Sequence, residues 1–195
     1  MIQGNHRRAA DLYRQTLNSH PGSVPAYIGL AQASLRLGDF PAAIAACTTG
    51  LKRNSTSLVL FNSLAAAYSG TGRYALAIET LEQCLHHHPD FDLGHVNIGG
   101  MYGKLGHYQE AEKHLLIARR LNPDNPVTHR RLGELFLKTE RPDSALSEFS
   151  TALITHPSSE TLYYLRGQAL ERTGRQLEAL QDYQRAHSLD PGFAE

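Results

Sequence analysis

The stretch FNSLAAAYSGTGRYALAIETLEQCLHHHP, residues 61–89, carries the pattern that decides the fold of this chain. On both sides of Gly72 its apolar residues recur every three or four positions, and Pro89 closes the stretch. Apolar residues at that spacing predict helices, glycine favours the turn and proline ends the second helix. The stretch therefore predicts two antiparallel helices joined by a short turn.

The same pattern returns every 34 residues without insertion or deletion. Alanine recurs at Ala9, Ala43, Ala77, Ala111, Ala145 and Ala179, and glycine at Gly4, Gly38, Gly72, Gly106 and Gly174, with Glu140 in the interrupted position. A second series of small residues, on the first helix of each pair, is Ala31, Ala65, Gly99, Gly133 and Gly167. Small residues in both series predict that the two backbones of each pair approach closely, with larger side chains such as Phe149 and Tyr183 filling the remaining space.

This repeat resembles the tetratricopeptide repeat, a helical pair of the same period. The resemblance implies an all-α fold, a right-handed superhelical solenoid of antiparallel helix pairs, over the whole chain 1–195 as one array. Complete repeats are expected at 24–57, 58–91, 92–125, 126–159 and 160–193, after a partial repeat at 1–23. The tryptophan of the family is replaced by Tyr27, Phe61, His95, His129 and Tyr163.

Composition limits the classes of partner. The chain has 195 residues with 19 basic and 19 acidic side chains, so no net charge attracts nucleic acid or an anionic membrane. Its two cysteines, Cys47 and Cys84, form no disulfide framework. Without a signal peptide or a membrane span, a cytoplasmic location is expected, although a removed targeting segment stays an alternative. The chain begins within a repeat and ends without a capping helix, which favours a fragment of a longer array over ends that pair with another chain.

The run His86, His87 and His88 raises the question of a metal site. Adjacent positions on a helix point about 100° apart, so the three rings cannot converge on one ion, and cationic side chains suit the end of a helix. His107, Glu110 and His114 do share a helical face, but this face is expected to be solvated. We therefore expect no metal, no cofactor and, without a catalytic motif, no enzymatic activity.

The resemblance also implies a concave groove lined by first helices, which binds a peptide or helix of a partner protein. The groove residues expected here are Asn62, Asn97, Gly100, Lys104, Arg130, Arg131, Glu134, Lys138, Tyr164 and Gln168. Asn97 is suited to bond the main chain of a ligand, while Arg130 and Arg131 are suited to an acidic side chain or a C-terminal carboxylate. The alternative is that lysines such as Lys104 and Lys138 only complement the end of a helix.

These observations predict a non-catalytic protein–protein interaction scaffold with a protein or peptide partner. Two alternatives stay open. The chain is the regulatory or substrate-presenting repeat region of a longer enzyme, for example a glycosyltransferase, or it is a structural element that self-associates through its uncapped ends.

Overall fold

The computed structural model describes residues 2–192, with side chains from residue 5 onward. In that part of the chain the regular elements are α-helices and none is a strand. The helices are α1 (Ile2–Ser19), α2 (Val24–Leu37), α3 (Phe40–Leu51), α4 (Leu58–Gly70), α5 (Tyr74–His87), α6 (Asp92–Leu105), α7 (Tyr108–Leu121), α8 (Pro126–Lys138), α9 (Pro142–Thr155), α10 (Glu160–Arg172) and α11 (Gln176–Leu189). The predicted all-α class is confirmed.

The helices form two compact units. Unit 1 runs to Gly94 and unit 2 begins at His95, so the division falls in the first turn of α6. In unit 1, α1 packs on α2, and each of α2, α3 and α4 packs on the helix that follows it. In unit 2 the same holds for each helix from α7 to α10. Neighbouring helices are joined by only a few residues, which makes each packed pair antiparallel.

Side-chain caps fix where the first helices of the repeats begin. Ser23, Ser57 and Ser159 each accept a hydrogen bond from a backbone N–H in the first turn of the helix that follows, and Asn125 does the same at α8. Such bonds satisfy N–H groups that have no partner inside the helix. Proline also stands in the first turn of α2, α3, α8 and α9, where its missing N–H costs little.

The turn inside each helix pair uses a left-handed backbone conformation. Gly38, Gly72, Gly106 and Gly174 have φ between 73° and 80°. Glu140 interrupts the glycine series, and its φ of 54° is also positive. Within residues 2–192 it is the one residue other than glycine with a positive φ. The turn geometry is therefore kept even where the residue is unfavourable for it.

The small residues serve close packing, as predicted. A Cβ atom placed on Gly133 would lie 2.4 Å from Cε1 of Phe149, and one on Gly167 would lie 2.6 Å from Cε1 of Tyr183. Phe149 is fully buried, and Ala111 and Ala145 of the alanine series are also at 0% exposure. The glycine on the first helix thus makes room for the large side chain on the second.

Candidate functional site

The candidate site is a cleft in unit 2 between α6 and α8, with α7 beneath it. We call it the α6–α8 cleft. It is lined by Gly99, Gly100, Gly103, Lys104, Ala111, Leu115, Arg131, Glu134, Leu135 and Lys138, and its volume is about 120 Å³. This volume is below the roughly 300–1,000 Å³ of small-molecule pockets, so the cleft suits a side chain or a carboxylate of a larger ligand. Among the predicted groove residues, the cleft brings together Gly100, Lys104, Arg131, Glu134 and Lys138.

Three glycines of α6 have different roles in the cleft. A Cβ on Gly99 would lie 2.7 Å from Cγ of Leu115, so this glycine allows α6 to pack on α7. A Cβ on Gly100 would lie 3.8 Å from Nε of Arg131, whereas one on Gly103 would meet nothing within 4 Å. Gly103 therefore leaves open space over the backbone, and at Gly100 that space borders the guanidinium group of Arg131.

Arg131 lines the cleft and the preceding residue, Arg130, lies outside its lining, yet both are paired with a single carboxylate. Nη1 of Arg130 lies 2.6 Å from Oε1 of Glu134, and Nη1 of Arg131 lies 3.2 Å from Oε2 of the same residue. The side chains of Arg130, Arg131 and Glu134 are 30%, 37% and 26% exposed. All three groups are thus in contact with solvent and accessible to a ligand.

The surroundings of the cleft are basic. Lys104 lies in the last turn of α6 and Lys138 in the last turn of α8, and both are exposed. Together with Arg130 and Arg131 they place four basic side chains at or beside the cleft, and Glu134 is the acidic residue of its lining. This local excess of positive charge favours an anionic ligand.

The other predicted groove residues lie outside the lining of this cleft. Asn97 is exposed on α6, and Asn62 is half-buried on α4 in unit 1. Tyr164 and Gln168 are on α10, where the ring of Tyr164 lies 5.5 Å from that of Tyr183.

The alternative role for Lys104 and Lys138, which is to complement the end of a helix, is seen for the equivalent residue of the next repeat, Arg172. Nη1 of Arg172, in the last turn of α10, donates a hydrogen bond of 2.6 Å to the carbonyl oxygen of Leu137 in α8. A cation that bonds the free carbonyls at the end of a helix stabilises that end. Arg172 therefore serves the structure of unit 2.

A layer of polar pairs in unit 2, each with at least one buried member, was not predicted. Nδ1 of His95 lies 3.0 Å from Nδ1 of His114, and Nδ1 of His129 lies 2.6 Å from Oε2 of Glu148. Further along, Arg166 makes two hydrogen bonds of 2.7 Å to the carboxylate of Asp182. In each pair a first helix contacts the second helix of the same repeat.

The face of α7 that carries His107, Glu110 and His114 was expected to be solvated, and for His114 this expectation is wrong. His114 is half-buried and its ring packs against that of His95. His107 and Glu110 on that face are exposed, as expected. Burial, followed by the charges of His95 and Lys113, lowers the pKa of His114 to about 4. Burial also lowers the pKa of His95. The pair is thus neutral near pH 7, with one ring donating its Nδ1–H to the other.

The histidine run divides into separate contacts. Nε2 of His88 lies 2.6 Å from the carbonyl oxygen of Thr56, the ring of His87 stacks on Phe61 at 6.3 Å, and His86 meets His87 edge-on. Among the residues that the structure describes, no three histidine, cysteine or acidic side chains gather in a way that could hold a metal ion.

Family models resolve what these helix pairs are. One model described as a tetratricopeptide repeat matches residues 63–126, 101–147 and 130–192, and a second matches residues 1–68. The chain belongs to the tetratricopeptide repeat (TPR) family. Within residues 2–192 of this TPR chain, no helix has the length and apolarity needed to cross a membrane.

A curated relative of this TPR chain is the human protein O-mannosyl-transferase TMTC3, which is 25% identical over 163 residues. The mouse protein matches over the same length with the same identity. These matches cover 75% of the present chain but 18% of each relative. The TPR chain thus spans less than a fifth of the curated relatives it matches.

Solved structures share the fold. TTC0263, a thermophilic TPR protein of Thermus thermophilus, is 28% identical with a TM-score of 0.71 over 86% of this chain and 91% of its own. MamA is 21% identical with a TM-score of 0.73 over 86% and 92% of the two chains. YrrB, described as a TPR protein with an unusual peptide-binding site, is 19% identical with a TM-score of 0.69 over 95% of both. The likenesses to MamA and YrrB show the fold, which is that of TPR proteins.

Proposed function

We propose that this TPR protein is a non-catalytic scaffold whose α6–α8 cleft binds an extended acidic segment of a partner protein. The observation that carries the proposal is the guanidinium group of Arg131 beside the bare backbone at Gly100. A carboxylate that enters the space over Gly100 and Gly103 reaches Arg131 without displacing a side chain of α6.

The chemistry of the cleft favours a carboxylate over a neutral group. Arg130 and Arg131 present adjacent guanidinium groups, which bind carboxylates through charged hydrogen bonds of about twice the usual strength. Lys104 and Lys138 add positive charge at the ends of α6 and α8, which speeds the approach of an acidic ligand more than it tightens the final complex.

We propose that the side chain of Asn97, one turn before Gly100 on α6, hydrogen-bonds the main chain of the ligand. An amide both donates and accepts, so it matches a peptide group whatever the ligand sequence. Tyr164 and Gln168 on α10 extend the proposed surface beyond the cleft. YrrB, which shares the fold, is described as binding a peptide, and this supports a peptide as the kind of ligand.

The test measures binding of a short fluorescein-labelled peptide in which glutamate alternates with glycine, and of its glutamine counterpart. Fluorescence anisotropy is expected to show binding of the glutamate peptide alone. Arg131→Ala is expected to weaken it about tenfold or more, because hydrogen bonds to a charged group are lost. Arg120→Ala, which removes an exposed cation at the end of α7, is the matched control and is expected to have little effect. Equal effects of the two substitutions would contradict the proposal.

A second candidate function is favoured by the match to TMTC3. In this case the repeats are the substrate-presenting region of a longer transferase, and the cleft holds the polypeptide that is modified. An immunoblot of the source cells decides between the two candidates. A band far above 21.5 kDa, the mass of these 195 residues, supports this candidate, and a band at 21.5 kDa contradicts it.

A further inference from the structure

The carboxylate of Glu134 already engages one nitrogen of each of the two arginines at the α6–α8 cleft. Its Oε1 lies 2.6 Å from Nη1 of Arg130 and its Oε2 lies 3.2 Å from Nη1 of Arg131, so one oxygen serves each guanidinium group. Glu134 stands one turn after the adjacent arginines on α8, at the i, i+4 and i, i+3 spacings that allow such contacts. One carboxylate therefore already bridges both arginines in the unliganded protein.

We propose that Glu134 is an internal competitor for the ligand carboxylate, and that binding exchanges one carboxylate for the other. This inference rests on the proposed function of the cleft. A protein whose binding-competent form is only part of the population binds with an apparent affinity reduced by that fraction. Glu134 thus lowers the affinity of the cleft for carboxylates and raises its selectivity, because neutral or weakly acidic segments do not displace it.

The exchange is energetically accessible because the ion pairs are exposed to water. With side-chain exposures between 26% and 37%, both pairs are open to solvent, and such exposed pairs contribute little to stability. Removing both pairs is therefore expected to raise the affinity for an acidic peptide about three- to tenfold. The fold should be unaffected, since α8 is held in the apolar core by other side chains, such as Leu132 and Leu135.

Glutamine is a suitable replacement because other repeats already carry it. Gln32 and Gln168 stand at the position of Glu134 in the repeats 24–57 and 160–193. Glu134→Gln keeps the shape of the side chain and removes its charge. Glu140→Gln is the matched control, because it removes the same charge from unit 2 at a side chain that is 85% exposed and lies 3.9 Å from Arg172.

The experiment uses the same glutamate–glycine peptide, once with an amidated and once with a free C-terminus, on the wild type and both variants. Binding is measured by fluorescence anisotropy at low and at high salt, and urea unfolding verifies that the variants are folded. The expected result is a three- to tenfold gain for Glu134→Gln and little change for Glu140→Gln. A gain for both peptide forms identifies side-chain carboxylates as the ligand group, and a gain for the free form alone identifies the chain terminus.

The outcomes separate this inference from the proposed function. If the wild type binds through Arg131 but Glu134→Gln binds equally or more weakly, Glu134 positions the arginines and does not compete, so the inference is wrong. If Glu134→Gln binds and the wild type does not, the inference is supported directly. Binding by neither protein would overturn both the inference and the proposed function.

Discussion

Nδ1 of His129 lies 2.6 Å from Oε2 of Glu148, and both side chains are buried. Nε2 of the same ring lies 2.6 Å from the carbonyl oxygen of Pro123, and Arg119 bonds the other carboxylate oxygen. Both ring nitrogens of His129 therefore have a polar partner. The network joins α7, α8 and α9 and thus connects two consecutive repeats within unit 2.

Breaking this network on one side is expected to be costly. His129→Phe leaves the buried carboxylate of Glu148 with Arg119 alone, and loss of a hydrogen-bond partner of a buried acceptor costs about 1–3 kcal/mol. Unit 1 carries Phe61 and Thr80 at the two equivalent repeat positions. The double variant His129→Phe/Glu148→Thr is therefore expected to unfold at higher urea concentration than His129→Phe. A double variant less stable than either single variant would contradict this account.

The His95–His114 pair predicts acid sensitivity. Both pKa values are lowered in the folded protein, that of His114 to about 4, whereas an unfolded histidine titrates near about 6.5. Between these values the unfolded chain binds more protons, so the free energy of unfolding falls as the pH is lowered from about 6.5 towards 4. The slope contributed by one such histidine is at most about 1.4 kcal/mol per pH unit.

Replacing His114 tests this pH dependence. Urea unfolding between pH 7 and pH 5 is expected to show a smaller loss of stability for His114→Leu than for the wild type. His187→Leu, which removes an exposed histidine of α11, is the control. Equal slopes for the wild type and His114→Leu would exclude this pair as the source of the acid sensitivity.

Close packing at Gly133 predicts a steric penalty. The added Cβ of Gly133→Ala would lie 2.4 Å from the ring of Phe149, and overpacking of this kind costs about 1–3 kcal/mol. Ala65 and Leu81 occupy the equivalent positions in unit 1. The double variant Gly133→Ala/Phe149→Leu is therefore expected to be more stable in thermal unfolding than the sum of the two single losses predicts. Additive losses of stability from the two single substitutions would contradict the proposed contact.

The turn at Glu140 predicts a stabilising substitution. A non-glycine residue with positive φ costs about 1–3 kcal/mol, and its ion pair with Arg172 is too exposed to compensate. Glu140→Gly is expected to stabilise the protein by about 1 kcal/mol, after the greater freedom of glycine in the unfolded chain is subtracted. The reverse change, Gly72→Glu, is expected to destabilise it. A loss of stability in Glu140→Gly would indicate that Glu140 makes a stronger contact than its ion pair suggests.

The fold could be predicted from the sequence because its signals are local and repeated. The apolar spacing around Gly72 predicts α4 and α5, and the helices end at Gly70 and His87, next to the glycine and the proline that were expected to mark them. A left-handed turn at Glu140 also follows from its place in the glycine series, although its residue type argues against it.

The buried polar layer could not be predicted in the same way, because it depends on which side chains meet across two helices. His95 and His129 stand where the family pattern has an aromatic residue, and that position alone predicts no polar partner. Each in fact contacts the residue 19 positions later, His114 or Glu148. The signal in the sequence was that polar residues stand at both of these positions, 19 residues apart in one repeat. The bonds from Arg130 and Arg131 to Glu134 follow helical spacing and were accessible from the sequence, but groove membership alone did not show that they are already paired.

The central claim is that the α6–α8 cleft binds an acidic peptide, and backbone NMR tests it most directly. The amides of Gly100 and Gly103 report on the open side of the cleft, and that of Arg131 reports on the arginine pair. Titration with the glutamate–glycine peptide is expected to shift these amides, and the shifts should disappear in Arg131→Ala. Shifts confined to unit 1, or unchanged in Arg131→Ala, would contradict the account.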